Sequence, residues 1–104
     1  MGLPSPSFHP AAEMPLVRIG QALAHPLRVR VLSLLVDGAP YRAGVLARRF
    51  HVALPLMKQH LLRLQEAQLV SSERVDNAVY YRIAGEPALS TLRPLLALGQ
   101  ATPG

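Results

Sequence analysis

Lys58, Gln59 and His60 stand side by side in a chain of 104 residues that contains no cysteine. A glutamine amide can bond an adenine edge through two hydrogen bonds, and a lysine can reach guanine or a phosphate oxygen. A histidine can bond backbone or phosphate. Around them in sequence lie Arg42, Arg48, Arg49, Arg63, Arg74 and Arg82, each suited to a phosphate. Residues 41–82 carry seven Lys or Arg against three acids (Glu66, Glu73 and Asp76), a balance of +4 within a formal net charge of +5. The positive charge therefore gathers where these side chains are, which suits a polyanionic partner. Other chemistries find little footing. Without cysteine there is no disulfide, thiolate metal site or thiol switch. His9, His25, His51 and His60 form no i, i+4 pair, and no acid accompanies them at ligand spacing. No metal site is expected within one chain, although one shared across a dimer stays open. The serines have no nucleophile setting and there is no glycine-rich phosphate loop, so neither an enzyme nor a cofactor is expected.

These side chains need a scaffold, and the hydrophobic spacing supplies one. Residues 52–70, VALPLMKQHLLRLQEAQLV, read as one amphipathic helix. Met57, Leu61, Leu64 and Leu69 make a buried stripe, while Lys58, Gln59, Arg63 and Gln65 fall on other faces. Before it, Pro40 opens a shorter helix, YRAGVLARRF, with Val45, Leu46 and Phe50 inward and its arginines wet. After it, Leu69-Val70 begins a strand. Val79, Tyr81 and Ile83 then alternate with Tyr80 and Arg82, a period of two that marks the return strand of a hairpin. Asp76-Asn77 suits its tip. Upstream, Pro15 suits the first turn of a helix bearing Leu16, Ile19 and Leu23. Pro26 starts a second, with Leu27, Val31, Leu34 and Leu35 on one face and Gly38 as a left-handed cap. Pro87 starts a last helix rich in leucine, with Pro94 inside it and Gly99 at its end.

A short helix, a basic-polar helix and a hairpin, in that order, make a winged helix-turn-helix. The expected class is mainly α (α+β), about five helices with a two-stranded hairpin wing. The expected division is a flexible arm over 1–14, the winged domain over 15–99 and a flexible tail over 100–104. No apolar run is long enough for a bilayer, and the amino end lacks the pattern of a signal peptide. A cytoplasmic location with no membrane partner is expected. The leucine-rich first and last helices carry more apolar surface than one small domain can easily bury. Leu16, Ile19, Leu23, Leu89, Leu92, Leu95 and Leu96 are therefore expected at a homodimer interface.

Four blocks resemble, in order, the arsenic-repressor-type (ArsR/SmtB) winged-helix transcription regulators. ALAHPLRVRVLSLL (22–35) resembles the family's second helix. VLARRFHVALPLMKQHLLRLQEAQLV (45–70) resembles its helix-turn-helix, with the His60-Leu61 pair and Leu64 in place, and Glu66-Ala67, with Leu69-Val70 two residues on, resembles how that helix ends. VYYRI (79–83) resembles the return strand of the wing. The likeness covers residues 16–98. It implies a homodimer on an inverted-repeat operator in double-stranded DNA, and repression released by a small inducer. The DNA-facing set would be Arg42, Leu54, Leu56, Lys58, Gln59, His60, Arg63, Arg74 and Arg82. The departures are specific. Pro40-Tyr41-Arg42-Ala43-Gly44 stands where many relatives carry a metal-binding cysteine pair. The last helix lacks the Asp and His pairs that hold zinc in others. Ala53 replaces a Ser or Thr cap, a loss of about 1 kcal/mol unless another group serves. Leu54, Pro55 and Leu56 replace polar residues at the helix start, and Glu73 and Asp76 bring acid to the wing. An unidentified small-molecule or protein effector is left open. So is a second reading, in which the apolar Leu54–Leu56 surface docks a protein.

Overall fold

The computed structural model describes residues 10–100. Helix α1 spans Pro10–Leu23, α2 Pro26–Leu35, α3 Ala43–Arg49, α4 Leu54–Glu66 and α5 Ala88–Gln100. Strands β1 (Tyr41–Arg42), β2 (Val70–Val75) and β3 (Ala78–Ile83) form one antiparallel sheet in the order β1-β3-β2. This is a winged helix-turn-helix: α3 and α4 are its two helices, and β2–β3 its wing. The wing turns at Asp76-Asn77 between the paired Val75 and Ala78, with Asp76 at φ 55°.

Helix α4 occupies Leu54–Glu66 of the expected 52–70, because the chain leaves the helix at the turn before β2, and two further boundaries differ from the sequence reading. Helix α1 begins at Pro10, with Pro15 in its interior, so residues 10–14 of the expected arm are helical. Pro10 takes the helix-start role, and the run Ala-Ala-Glu-Met has high helix propensity with Glu13 favourably placed in the first turn. Residues 1–9 of that arm, and 101–104 of the expected tail, lie outside the described residues. The tail's first residue, Gln100, ends α5. The second difference is at Tyr41-Arg42, which form a strand rather than the start of α3. Tyr41 pairs with Tyr81 and Arg42 with Tyr80, adding a third strand to the expected two and covering the free edge of β3.

The chain uses left-handed residues to end its helices. Gly38 (φ 97°) follows α2, and its N–H reaches the Leu35 carbonyl at 3.0 Å. Helix α4 ends in a Schellman turn. The Leu69 N–H bonds the Leu64 carbonyl (3.0 Å), the Gln68 N–H bonds the Gln65 carbonyl (2.9 Å), and Gln68 sits at φ 62°. Helix α3 ends the same way. The Val52 N–H bonds the Ala47 carbonyl (2.9 Å) and His51 takes φ 57°, which sets the tight turn into α4. Glutamine pays a steric cost in this region that glycine escapes. Gln68→Gly is expected to stabilise the fold by about 1 kcal/mol, raising the melting midpoint by roughly 4–8 °C. An unchanged or lower midpoint in a thermal melt would contradict this.

The core lies among the helices. Val31, Leu32 and Leu35 of α2, Leu46 of α3, Met57, Leu61 and Leu64 of α4, and Leu92 of α5 are fully buried. Val70 and Ile83 close it from the sheet. The stripe read from residues 57, 61, 64 and 69 is buried as expected. Val45, expected inward, is exposed, because Leu46 and Ala47 take the core side of α3.

Candidate nucleic-acid interface

Helix α4 turns Met57, His60, Leu61 and Leu64 into the core, which leaves Lys58, Gln59, Leu62, Arg63 and Glu66 outward. Its first turn has no side-chain cap, since Ala53 offers none. Pro55 near the helix start lacks an N–H, so one fewer donor is left orphaned. On the wing side of α4 lies a cleft of about 410 Å³. Arg42, Arg48 and Lys58 line it together with Asn77 of the wing tip, Leu54, Val45, Val79 and Tyr81, and no acid is among its lining residues. The extra strand β1 brings Arg42 there, because its pairing with β3 fixes the backbone just before α3.

The opposite flank of α4 is built differently. Gln59, Leu62 and Arg63 share a groove with His60 and with Arg28 of α2. Arg63 Nη1–H donates to Glu66 Oε1 at 2.9 Å. Both side chains are exposed, so this pair is weak. Gln65 donates to the Ser72 hydroxyl (3.1 Å) and ties α4 to β2.

His60 does not belong with the outward residues. It is only 6% exposed, and its Nδ1 accepts from Arg28 Nε–H at 3.0 Å. The ring of His25 meets it edge-on at 4.5 Å. Burial, then the charges of His25 and Arg28, lower its pKa below the usual histidine value. The reading of His60 as a DNA contact is therefore corrected. It stands three residues after Met57 and four before Leu64, a spacing that itself sets it on the buried face.

The remaining candidates separate by position. Leu54, Lys58 and Arg42 join the wing-side cleft, and Gln59 and Arg63 the opposite groove. Leu56 is exposed near the helix start. Arg74 and Arg82 are exposed on the hairpin, and neither lines either of these two clefts. Arg82 sits at its base, opposite Ser71. The sequence reading missed Leu62, which is 51% exposed between Gln59 and Glu66 on the outward face, and the link from Arg28 to His60.

The expected dimer residues also divide. Leu16 is 70% exposed and Leu95 46%. Ile19, Leu23, Leu89 and Leu96 are partly buried against the protein's own core. Leu92 is fully buried there, which removes it from the interface list. Met14 and Val17 extend the exposed apolar surface of α1. Among the described residues no three metal-ligating side chains come together, and no helix is long and apolar enough to cross a membrane.

A helix-turn-helix with a cationic cleft between its second helix and its wing defines a class of protein, and comparison with known proteins narrows it. No family model matches the chain. The HTH-type transcriptional regulator YdfF of Bacillus subtilis is 33% identical over 81 residues, which is 78% of this chain. The chain spans only 36% of YdfF's length. The transcriptional repressor SdpR of Bacillus subtilis is 32% identical over 63 residues, 61% of this chain and 69% of SdpR. Among solved structures, the homodimeric winged helix-turn-helix DNA-binding domain of Mb0332 from Mycobacterium bovis, a possible ArsR-family transcriptional regulator, superposes with a TM-score of 0.79. It is 27% identical, over 94% of this chain and 91% of that one. The chain belongs to the ArsR-type winged helix-turn-helix transcriptional regulators.

Proposed function

We propose that the chain is a homodimeric repressor that binds an inverted-repeat DNA operator through α4 and the wing. The observation that carries this is the acid-free cleft of Arg42, Arg48 and Lys58 beside the outward face of α4. A phosphodiester strand running along that cleft would meet three cations and leave Gln59 facing the base edges of a major groove. Leu54, Leu56 and Leu62 supply apolar surface for thymine methyl groups. Arg63 serves the second strand on the far flank, and Arg74 adds charge from the wing. The exposed apolar residues of α1 and α5 form the two-fold contact, which the operator mirrors with half-sites about one helical turn apart. The reading takes support from SdpR, a repressor, and from the homodimeric Mb0332 domain. These relatives do not favour the protein-docking alternative for Leu54 and Leu56. Any releasing signal acts without a thiolate of this chain, which has no cysteine.

The test is selection of bound fragments from genomic DNA with the purified protein, followed by titration of the selected duplex. Gln59→Ala is expected to cost about 1–3 kcal/mol on the selected duplex, the worth of a bidentate base contact, and little on random sequence. Equal losses on both would remove Gln59 as a base reader. Failure of every selected fragment to outbind random duplex would remove the reading as a whole.

A further inference from the structure

Among the described residues His60 is the one buried side chain with a titratable group, and it sits on the helix proposed to read DNA. Its partner, Arg28, has two attachments. Nε–H donates to His60 Nδ1 at 3.0 Å, and Nη1–H donates to the Gln21 carbonyl of α1 at 3.3 Å. One guanidinium thus joins α1, α2 and α4. The first bond needs a bare Nδ1, because arginine has no acceptor to offer in return.

We propose that Arg28 is a positioning residue that locks α4 against the corner of α1 and α2, and that this lock holds only while the His60 ring is neutral. The inference rests on the DNA-binding reading and adds its regulation by protons.

The surroundings of the ring are cationic. His25, at the cap of α2, faces it edge-on and uses its own Nδ1 to accept from the Leu27 N–H at 3.3 Å. Arg28 comes from α2, and Arg18 of α1 lines the adjoining cleft with Arg28 and Gln21. On α4, Arg63 lines both grooves and is held by Glu66, the one acid in either. Arg48 of α3, Arg42 of β1 and Lys58 of α4 face the wing-side cleft. The β2 charges, Glu73 and Arg74, are exposed on the hairpin. A proton on His60 therefore gains no carboxylate partner of its own. It turns the acceptor into a donor, breaks the bond to Arg28 and places two cations in contact.

The sign follows from the lowered pKa of His60. The neutral ring is favoured by the fold, so the lock is complete above the ordinary histidine value of about 6.5 and is lost as pH falls through the lower folded value. A new positive charge near DNA also raises affinity for every duplex. The informative quantity is therefore the ratio of selected to random affinity, not either affinity alone.

The experiment is fluorescence anisotropy with the selected and a random duplex at fixed ionic strength, at pH 7.5 and at a lower pH at which the His60 ring is seen to be protonated. It is paired with nitrogen NMR of the histidine rings in the free protein. The wild-type ratio is expected to fall about tenfold at the lower pH, the worth of a hydrogen bond to a charged group. His60→Asn places an amide oxygen near Nδ1 and has nothing to protonate, so its ratio should stay flat. Arg28→Gln should lower the ratio already at pH 7.5 and remove the pH dependence, which serves if His60→Asn does not fold. The ring should be the Nε2–H tautomer at pH 7.5. A pH-independent wild-type ratio, a His60→Asn slope equal to wild type, or an Nδ1–H tautomer would each overturn the proposal. If no duplex outbinds random sequence at either pH, the DNA reading itself fails, and the tautomer still decides whether Arg28 holds His60.

Discussion

Leu16→Asp combined with Leu95→Asp is expected to leave a folded monomer whose affinity for the operator is at least about a hundredfold lower. Leu16 is largely and Leu95 nearly half exposed in the single chain, and neither belongs to its buried core, so their loss removes little from it. In a two-fold dimer each occurs twice. Burying a leucine is worth about 1.5–3 kcal/mol, so covering four of them supplies much of a dimerisation free energy. Aspartate at those positions also sets four like charges in one apolar contact, which costs heavily if they stay charged. Operator binding suffers because a monomer engages one half-site and loses the effective concentration that the linked partner provides. Sedimentation equilibrium and circular dichroism read mass and fold, and anisotropy reads affinity. A dimer mass for the double variant would place the interface elsewhere. A clean monomer with wild-type affinity would show that one half-site suffices.

The sequence showed the helices that carry this argument more clearly than it showed their partners. The Met57, Leu61 and Leu64 stripe is local, and its period alone orients α4. The turn at Asp76-Asn77 and the cap at Gly38 are likewise local. Strand β1 is not, because two residues become a strand only by pairing with β3 about forty residues later. Leu92 and Leu95 are equally apolar, and only the way α5 lies on α2 decides that Leu92 enters the core and Leu95 does not. His60 could have been set inside by its spacing, yet a histidine among outward polar neighbours suggests a contact residue. The Arg28–His60 bond spans 32 positions and leaves no periodic trace. The cationic cleft was half visible. Its charges were countable in sequence, but their convergence with Asn77 depends on the hairpin folding back beside α3.

That convergence sets the largest expected effect. Replacing Arg42, Arg48 and Lys58 together by alanine is expected to flatten the salt dependence of DNA binding. Each phosphate contact contributes about −0.9 to the slope of log K against log salt. Three contacts in each of two protomers make six, so the slope should shrink by about 5 and affinity near 0.15 M salt should fall on the order of 10⁴-fold. The loss should be similar for operator and random duplexes, because phosphates carry no sequence. All three side chains are exposed, so the melting midpoint should barely move. Arg74→Ala, as a single wing residue outside the cleft, should flatten the slope by less than the triple variant does. A triple variant with the wild-type slope would mean that the DNA backbone does not run through this cleft. A slope lost on the operator alone would mean that these residues read bases instead. The two outcomes differ because counterion release follows charge and is blind to sequence, whereas base edges are not.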